Sequence, residues 1–359
     1  MTTLVISDLH LGTHSHVFVL NRSDHRDALV RAAREADRLV VLGDMLELRE
    51  SPVGNALRAA LPTLDALGEA MAGREVVIVP GNHDHQLAAP LLDELRVDGS
   101  LAALGLEHMM PAPPGGLVGR VAEAMKQADV TLAYPGVWLR DDVYATHGHY
   151  LDAHNTIPTL ECLSIAATAR LTGNLPPGRR TPADYEAVIG PPYALTYTLA
   201  QAPGRIGTML AGSTSREVWK RLNGAGGERP ARRTRATHAL AKVGFRGAVA
   251  ALNRAGLGPF ETDLSGAALR EAGLNGITAA IEALGVEADH VIFGHTHRSG
   301  PHPGDEGWET PAGTRLHNTG SWIYEPAFLG ADERRSPYWP GHCVVVEDSG
   351  PPELKTLIT

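Results

Sequence analysis

Residues Arg38–Glu47, with the sequence RLVVLGDMLE, decide the fold. The run Leu39–Leu42 is apolar without interruption and too short for a helix, so it predicts a strand that is buried on both faces. Gly43 ends the run, and Asp44 follows where the backbone leaves the sheet. Ligand-binding residues of α/β sheets concentrate at the carboxyl ends of strands, which makes Asp44 a candidate site residue. The alternative interpretation is that Asp44 only caps the next helix.

The chain around this stretch alternates predicted strands and helices, which indicates an α/β protein. A strand, a helix and the Leu39–Leu42 strand come first, and this order favours a parallel pair. A tight turn at Asp141-Asp142 predicts a change to antiparallel pairing. The other predicted strands are Thr3–Ser7, Glu75–Val79, Val130–Leu139, Val143–Thr146, His290–Phe293, Thr314–Leu316, Gly341–Glu347 and Glu353–Ile358. The predicted helices of this part are Asp24–Ala36, Ala56–Ala72 and Leu87–Leu95, and Pro111–Gly116 is read as a loop.

The middle of the chain has a different texture, with helical patterns and no convincing strand. We therefore predict a core of residues 1–154 and 281–359 with a helical insertion, or cap, at 155–280. A structureless loop of this length would be improbable inside a compact domain. The predicted helices are Thr159–Leu171, Pro192–Gln201, Ser215–Leu222, Thr237–Ala255 and Gly266–Leu284.

Composition limits the classes of function that are plausible. The 359 residues include 41 acidic and 32 basic side chains, for a net charge of -9. General binding to nucleic acids or anionic membranes depends on basic surface, which only the cluster Arg229–Arg235 offers. The cysteines Cys162 and Cys343 form no CxxC motif and suit a reducing compartment. No run of 18 apolar residues and no secretory signal pattern is found, so we expect a cytoplasmic protein.

Polar clusters follow five of the predicted strands. Asp8 and His10 are two residues apart, a spacing that points both side chains the same way on an extended backbone. The pairs His147/His149 and His295/His297 have the H-x-H spacing of metal ligands. Each cluster alone could be a turn or a surface histidine. Five of them at five strand ends indicate one shared site.

The cluster Asn82-His83-Asp84 adds catalytic groups to this pattern. Asn82 offers a neutral carbonyl oxygen to a metal, and His83 is a potential general acid. Asp84 could fix the tautomer of His83 and raise its pKa. Glu47, three residues after Asp44, could orient a ligand or cap a positive helix end.

The motifs DLH, GDMLE, GNHD, THGH and GHTH, in this order, resemble those of the calcineurin-like metallophosphoesterase superfamily. The resemblance covers Met1 to about Asp152 and about Asp289 to the end, and it leaves out the helical stretch. It implies a β-sandwich of two mixed sheets flanked by helices, into which the helical cap is inserted.

The resemblance also implies roles for the motif residues. Asp8, His10 and His297 look like ligands of one metal, and Asn82, His147 and His295 look like ligands of a second. Asp44 resembles the carboxylate that bridges them. His83 resembles the catalytic histidine, with Asp84 supporting it. The remaining candidates near the site are Glu47, His149 and Asn318.

The implied chemistry is hydrolysis of a phosphoester with two divalent ions roughly 3.5–4 Å apart and a bridging hydroxide as nucleophile. Nitrogen and oxygen ligands without thiolate fit Mn²⁺, the first choice, or Fe, Zn²⁺ or Co²⁺, and disfavour Ca²⁺. Bound metal would also let an acidic protein attract phosphate.

The bond that is cleaved stays open at this point: a phosphomonoester, a phosphodiester or a pyrophosphate. GDxxE followed by an NxGSW loop is similar to bacterial UDP-diacylglucosamine pyrophosphatases, which typically have Arg where His83 stands. A bulky nucleotide- or lipid-linked phosphoester is therefore the expected substrate. The alternatives are a nuclease and a catalytically inactive scaffold of the same fold.

The position of the insertion predicts a role at the site. It leaves the core after His147 and His149 and returns before His295, so we expect it at the rim of the active site. Apolar side chains of Ile157–Leu171 are predicted to line the pocket. The candidates for binding a second phosphate are Arg179, Arg180, Arg232, Arg233 and Arg235.

Overall fold

A strand of 12 residues, Asp129–Arg140, joins the two halves of a 10-stranded sheet. The structure is a computed structural model that describes residues 1–14, 17–173, 175, 178–202, 232–330 and 332–358. Its strands are β1 (Thr3–Ile6), β2 (Val17–Phe18), β3 (Arg38–Leu42), β4 (Glu75–Val79), β5 (Glu107–Pro111), β6 (Asp129–Arg140), β7 (Val143–Thr146), β8 (His290–Phe293), β9 (Arg315–Asn318), β10 (Ile323–Tyr324), β11 (His342–Val346) and β12 (Glu353–Thr356).

Helices account for most of the remaining regular structure. They are α1 (Ser23–Glu35), α2 (Val53–Ala70), α3 (Ala89–Val97), α4 (Gly116–Ala124), α5 (Leu160–Thr172), α6 (Pro182–Gln201), α7 (Arg232–Arg254), α8 (Gly266–Leu284) and α9 (Pro326–Leu329). No helix of the described part of the chain combines the length and the apolar character needed to cross a bilayer.

The order of strands along the sheet is β12-β11-β1-β3-β4-β6-β7-β8-β9, and β5 also pairs with β6. In the first half β1, β3 and β4 run parallel to one another. In the second half β7, β8 and β9 are parallel. The carboxyl ends of each parallel set therefore lie along one edge, where the predicted polar clusters follow.

The two halves pack face to face as a sandwich. Val40 and Leu42 of β3 lie in one buried cluster with Ala145 of β7 and Ile292 of β8. Leu39, on the opposite face of β3, packs in a second cluster that includes residues of α1 and α2. Both faces of β3 are thus covered, which explains its unbroken apolar run. The predicted fold class is confirmed. In addition, β6 pairs with β4 of one half and β7 of the other, so the two halves form one continuous hydrogen-bonded sheet.

Several boundaries differ from the predictions. Helix α6 begins at Pro182 rather than Pro192, because Thr181 and Asp184 form a capping box, and Pro191 and Pro192 lie inside the helix. The strand β5 and the helix α4 were not predicted, since β5 is largely exposed and shows no apolar alternation. The predicted helix Ser215–Leu222 lies outside the described residues.

Residues 155–284 contain helices and no strand in the part that the structure describes. Helix α8 packs against the second half of the sandwich, where Ile277 and Ile281 join a buried cluster with Val291 and Phe293. Helix α6 carries Tyr185 and Ile189 into another cluster. The helical segment is therefore in direct contact with the sandwich.

The two faces of α2 provide a test of this packing. Leu64 is 0% exposed in the main core, whereas Leu61 on the same helix is 48% exposed. Leu64→Ala should lower the free energy of unfolding by about 2–5 kcal/mol, because it leaves a cavity. The control Leu61→Ala should change it by less than about 0.5 kcal/mol. Urea denaturation measures both, and equal losses would mean that the helix faces have been assigned wrongly.

Candidate metal centre

The loops that follow β1, β3, β4, β7 and β8 converge at one edge of the sandwich. Hydrogen bonds connect these loops. Within the second half, Gly294 N donates to His147 O at 3.0 Å. Across the two halves, His295 N donates to an Asp8 carboxylate oxygen at 3.1 Å. The loops bring together all seven side chains for which a ligand role was predicted: Asp8, His10, Asp44, Asn82, His147, His295 and His297.

The first group consists of Asp8, His10, Asp44 and His297, whose ligand atoms all lie within 4.8 Å of one another. Nε2 of His297 is 3.1 Å from Nε2 of His10 and 3.2 Å from Oδ1 of Asp8. Nε2 of His10 is 3.7 Å from Oδ2 of Asp44. Four ligand atoms, one from each residue, thus face one small space.

The second group consists of Asp44, His147 and His295, again with ligand atoms within 4.8 Å. The side-chain amide of Asn82 completes it, with one terminal atom 3.1 Å from Nε2 of His147 and 3.0 Å from Nδ1 of His295. Oδ2 of Asp44 lies 3.3 Å from Nε2 of His147. Because Asp44 belongs to both groups, its carboxylate stands where a bridging ligand would be needed.

The chemistry of these residues fits divalent metal ions. Oδ1 of Asp8 is buried and accepts no well-aligned hydrogen bond, although His297 lies beside it. Burial would raise the pKa of Asp44, but the nearby His147 and His83 hold that pKa well below its usual range. Two ionised carboxylates, four imidazoles and one amide oxygen provide the mixed nitrogen and oxygen set that transition ions bind.

Backbone conformation marks the same residues. Asp8, His10, Asp44, His295 and His297 all have φ between 44° and 65°, in the left-handed region. In the described part of the chain no other residue except glycine has a positive φ. Such a conformation costs an L-residue roughly 1–2 kcal/mol, so it persists only where the surrounding structure enforces it. The strain is therefore concentrated on the candidate ligands.

Glycines allow the loops to approach closely. A side chain at Gly43, whose φ is 85°, would collide with the ring of His147, and one at Gly294 would collide with Ser7 and Asp8. These two positions bring the halves of the sandwich within reach of a shared ion.

Glu47 is the partner of His83. Its Oε2 lies 2.7 Å from Nδ1 of His83 and 3.1 Å from Nδ1 of His10, while Oε1 accepts from the backbone N–H groups of Arg49 and Glu50. Burial would lower the pKa of His83, but the charges of Glu47 and Asp44 outweigh it and raise that pKa to about 9. A pKa of this value keeps the His83 imidazole protonated at neutral pH.

The prediction that Asp84 fixes the tautomer of His83 is wrong. The Asp84 carboxylate instead accepts backbone N–H groups from Gly81, Asp44, Met45 and Leu46, at 2.7–3.2 Å. Each oxygen of Asp84 already accepts two hydrogen bonds, so neither is free to accept one from His83. Asp84 therefore ties the loop after β4 to the loop after β3, and it acts on the site by holding Asp44 in place.

Further contacts orient the imidazoles of the second group. Nδ1 of His147 lies 2.9 Å from the carbonyl oxygen of Leu42, so Nε2 is turned toward Asp44. Nε2 of His295 forms an ion pair with Asp152 at 3.1 Å, so Nδ1 is turned toward Asn82. Such partners set which nitrogen of a histidine is free to bind a metal. Asp152 had no predicted role, although it lies in the same HGHYLD stretch as His147.

His149 and Asn318 lie near the ligands without joining either group. His149 is buried against Tyr134, whose hydroxyl is 3.2 Å from Nε2, and burial together with His147 lowers its pKa well below the usual range. Asn318 donates to Gly294 O and Thr296 Oγ1 and accepts from Gly320 N. It therefore braces the loop that carries His295 and His297.

A cleft of about 300 Å³ opens over the centre. Asp44, Asn82 and the histidines 83, 295 and 297 form its floor. Its walls combine apolar and aromatic side chains with two arginines: Leu151, Leu269, Leu274, Phe293, Trp308, Phe328, Tyr338, Arg270 and Arg298. Of these wall residues, Leu269, Arg270 and Leu274 belong to α8 of the helical segment.

The predicted contributions of α5 and of the arginines to this wall need correction. From the stretch 157–171 the cleft is lined by Thr159 and Glu161, whereas Ile157, Cys162 and Ile165 are buried. Cys162 and Ile165 pack against other parts of the helical segment.

Arg179 and Arg180 bond to Gly285 O and His154, away from the cleft. The side chains of Arg232, Arg233 and Arg235 are outside the described part. The cationic side chains of the cleft are therefore Arg270 and Arg298.

Comparisons with known proteins give a family match and similar proteins. Residues 1–181 match the model of the family described as calcineurin-like phosphoesterase. A UDP-2,3-diacylglucosamine hydrolase from Chromohalobacter salexigens is 34% identical over 116 residues, which are 31% of this chain and 45% of that protein. The chain thus matches less than half the length of this relative.

A solved structure, a dimetal phosphatase from Danio rerio, aligns over 100% of this chain and 99% of its own, with 14% identity and a TM-score of 0.33. The family match extends over 181 of 359 residues and includes five of the seven grouped side chains. By this match the chain belongs to the calcineurin-like phosphoesterase family.

Proposed function

We propose that the protein hydrolyses a phosphomonoester, phosphodiester or pyrophosphate bond with the help of two divalent metal ions. The observation that carries the proposal is the pair of ligand groups that share Asp44. A carboxylate between two such groups suits two ions that would otherwise repel each other. An inactive scaffold would not need to keep seven such side chains together, five of them at strained backbone positions.

When bound, the two ions would activate a water molecule and neutralise the charge on the phosphoryl oxygens. Asp8, His10 and His297 would hold one ion, Asn82, His147 and His295 the other, and Asp44 both. We propose Mn²⁺ as the first choice, with Fe, Zn²⁺ and Co²⁺ as alternatives for the same donor set.

His83 would supply the proton that the leaving oxygen needs. It lines the cleft beside the ligand groups, and Glu47 holds its Nδ1. The second ring nitrogen, Nε2, is therefore the one from which a proton would pass to the substrate. A positioned general acid of this kind contributes about 10²–10⁴-fold to the rate. Asp84 would contribute only by fixing the loop that carries Asp44.

The substrate that we propose is bulky and linked to a nucleotide or a lipid. The aromatic and apolar walls of the cleft support an organic group beside the phosphate, and Arg270 and Arg298 support an anionic one. The relative that is named for a UDP-linked, diacylated sugar points the same way. Net charge of -9 argues against nucleic acid as substrate.

We also propose the division of the chain into a core, residues 1–154 and 281–359, and a helical cap, residues 155–280. The cap would restrict which phosphoester enters, since Thr159, Glu161 and the α8 side chains line the cleft. The two buried, unpaired cysteines are consistent with the cytoplasmic location that we propose.

The proposed activity can be tested with a panel of substrates. Protein reconstituted with Mn²⁺ should hydrolyse p-nitrophenyl phosphate or its bis ester, and a chelator should abolish the reaction. The panel then extends to mononucleotides, cyclic nucleotides, nucleotide diphosphate conjugates, phospholipids and single-stranded DNA, with phosphate or monoester release as readout. If no substrate of the panel is hydrolysed with Mn²⁺, Fe, Zn²⁺ or Co²⁺, the result favours a catalytically inactive scaffold.

Asp44→Asn should weaken both metal sites at once, because it removes one charge from the ligand that they share. We expect the dialysed variant to hold well under two equivalents of Mn²⁺ by elemental analysis, while the wild type holds two. Asp65→Asn, an exposed change on α2, is the matched control. If the Asp44 variant retains both ions at wild-type affinity, Asp44 does not bridge.

His83→Ala should lower kcat by about 10²–10⁴-fold without changing the metal content, since no ligand role falls to this residue. The loss should be smaller for p-nitrophenyl esters than for alkyl esters, because nitrophenolate leaves without a proton. His108→Ala, at an exposed position on β5, is the control. Equal losses on both ester types would argue that His83 positions phosphate and donates no proton.

A further inference from the structure

Two separate cavities meet at Asn82 and His83. One is the cleft described above. The other, here called the α6 cavity, has a volume of about 480 Å³ and lies between α6 and α3. Both cavities include Asn82 and His83 in their linings. Ligand pockets commonly measure about 300–1,000 Å³, so each cavity is large enough for an organic group.

Small side chains of α6 form part of the wall of the α6 cavity. Ala187, Gly190 and Ala194 of α6 face Ala89 and Leu92 of α3. A side chain added at Gly190 would meet only open space and one distant oxygen of Glu186. The helix thus leaves open space in a cavity that His83 also lines.

A charged pair joins the two linings. Arg49 lines the α6 cavity and Glu161 lines the cleft, and Nη2 of Arg49 donates to Oε1 of Glu161 at 2.7 Å. Arg49 is 9% exposed and also lies over the ring of Tyr193. The Arg49 cation therefore lies where the two cavities meet and shares the lining of the α6 cavity with His83.

The α6 cavity is itself anchored to the sandwich by a buried carboxylate. Glu186 of α6 accepts hydrogen bonds from the hydroxyls of Tyr134 and Tyr150 and lies 3.0 Å from Nε2 of His85. His85 follows the His83-Asp84 motif directly. The position of α6 is thus coupled to the loop that carries the catalytic histidine, so the cavity is a built part of the site.

A phosphomonoester has one organic group, whereas a phosphodiester or a doubly substituted pyrophosphate has one on each side of the reacting bond. A site for monoesters needs one cavity beside the catalytic group, and this site has two. We infer that the natural substrate carries organic groups on both sides of the bond, one in the cleft and one in the α6 cavity. This inference rests on the proposed function and narrows its substrate class.

The reaction is a simple hydrolysis. The oxygen of one water molecule bonds to phosphorus, and the bond from phosphorus to the leaving oxygen breaks. One proton of the water ends on the leaving oxygen, by way of His83, and the other stays with the phosphate product. A diester yields a monoester and an alcohol, and a substituted pyrophosphate yields two monoesters.

The experiment fills each cavity in turn. Ala187→Trp enters the α6 cavity, and Leu195→Trp, an exposed change on the same helix, is its control. Leu269→Trp enters the cleft, and Ala267→Trp, an exposed change on α8, is its control. The readout is the ratio of kcat/KM for bis(p-nitrophenyl) phosphate to kcat/KM for p-nitrophenyl phosphate. A second arm uses UDP-glucose, a doubly substituted pyrophosphate.

Both cavity-filling variants should lower the ratio by about tenfold or more, because a diester needs both cavities and a monoester only one. The controls should keep the wild-type ratio. Comparison of the diester with UDP-glucose in the wild type then distinguishes the two substrate types. If Ala187→Trp has a lower melting temperature than Leu195→Trp, Gly190→Leu is used in its place to fill the α6 cavity.

An unchanged ratio in either cavity-filling variant would overturn the inference. So would a wild-type protein that hydrolyses the monoester but neither the diester nor UDP-glucose, and the proposed phosphoesterase function would then still stand. If none of the three substrates is hydrolysed with any of the metals, the result counts against the proposed function itself.

Discussion

The carboxylate of Asp44 is the point on which the site depends. Its Oδ2 lies between His10 of the first half of the sandwich and His147 of the second, and its Oδ1 accepts the backbone N–H of His83. The Asp84 carboxylate in turn binds the backbone N–H of Asp44. The loop after β4 thus donates a backbone N–H to Asp44, and the loop after β3 donates one to Asp84. Buried charge of this density is tolerable only where opposite charges or metal ions face it, which makes the site and the fold mutually dependent.

The sandwich provides the rigidity that this arrangement requires. Five ligand residues in the left-handed region together cost several kcal/mol, at roughly 1–2 kcal/mol each. Regular hydrogen bonding resists relaxation, since Asp8 N and His10 N donate to the carbonyl oxygens of Gly43 and Asp44 at 3.1 and 2.8 Å. The strands behind these loops are fully buried on both faces. The strained loop ends are therefore held in place by these hydrogen bonds and by the buried strands behind them.

Much of this could be predicted from the sequence, and the failures have physical reasons. An apolar run marks a buried strand such as β3, and the polar residues that follow it mark the loop at its carboxyl end. The loops that carry the candidate ligands could therefore be located from the sequence. Side-chain direction inside an irregular loop follows no period, so the pairing of His83 with Glu47 instead of the adjacent Asp84 could not be seen. The early start of α6 could have been found from its capping box, but Pro191-Pro192 conceals it. The α6 cavity arises only from tertiary packing.

The order of the ligands along the chain has a consequence for biosynthesis. His10 and His297 are 287 residues apart, so a ribosome working at roughly 5–20 residues per second needs roughly 15–60 s to make the second after the first. Strand β1, which begins the ligand series, also waits for β11 as its antiparallel neighbour. During this interval the nascent chain offers cations an incomplete set of donors in an unfinished sheet. The complete set of donors therefore exists only after His297 has been synthesised.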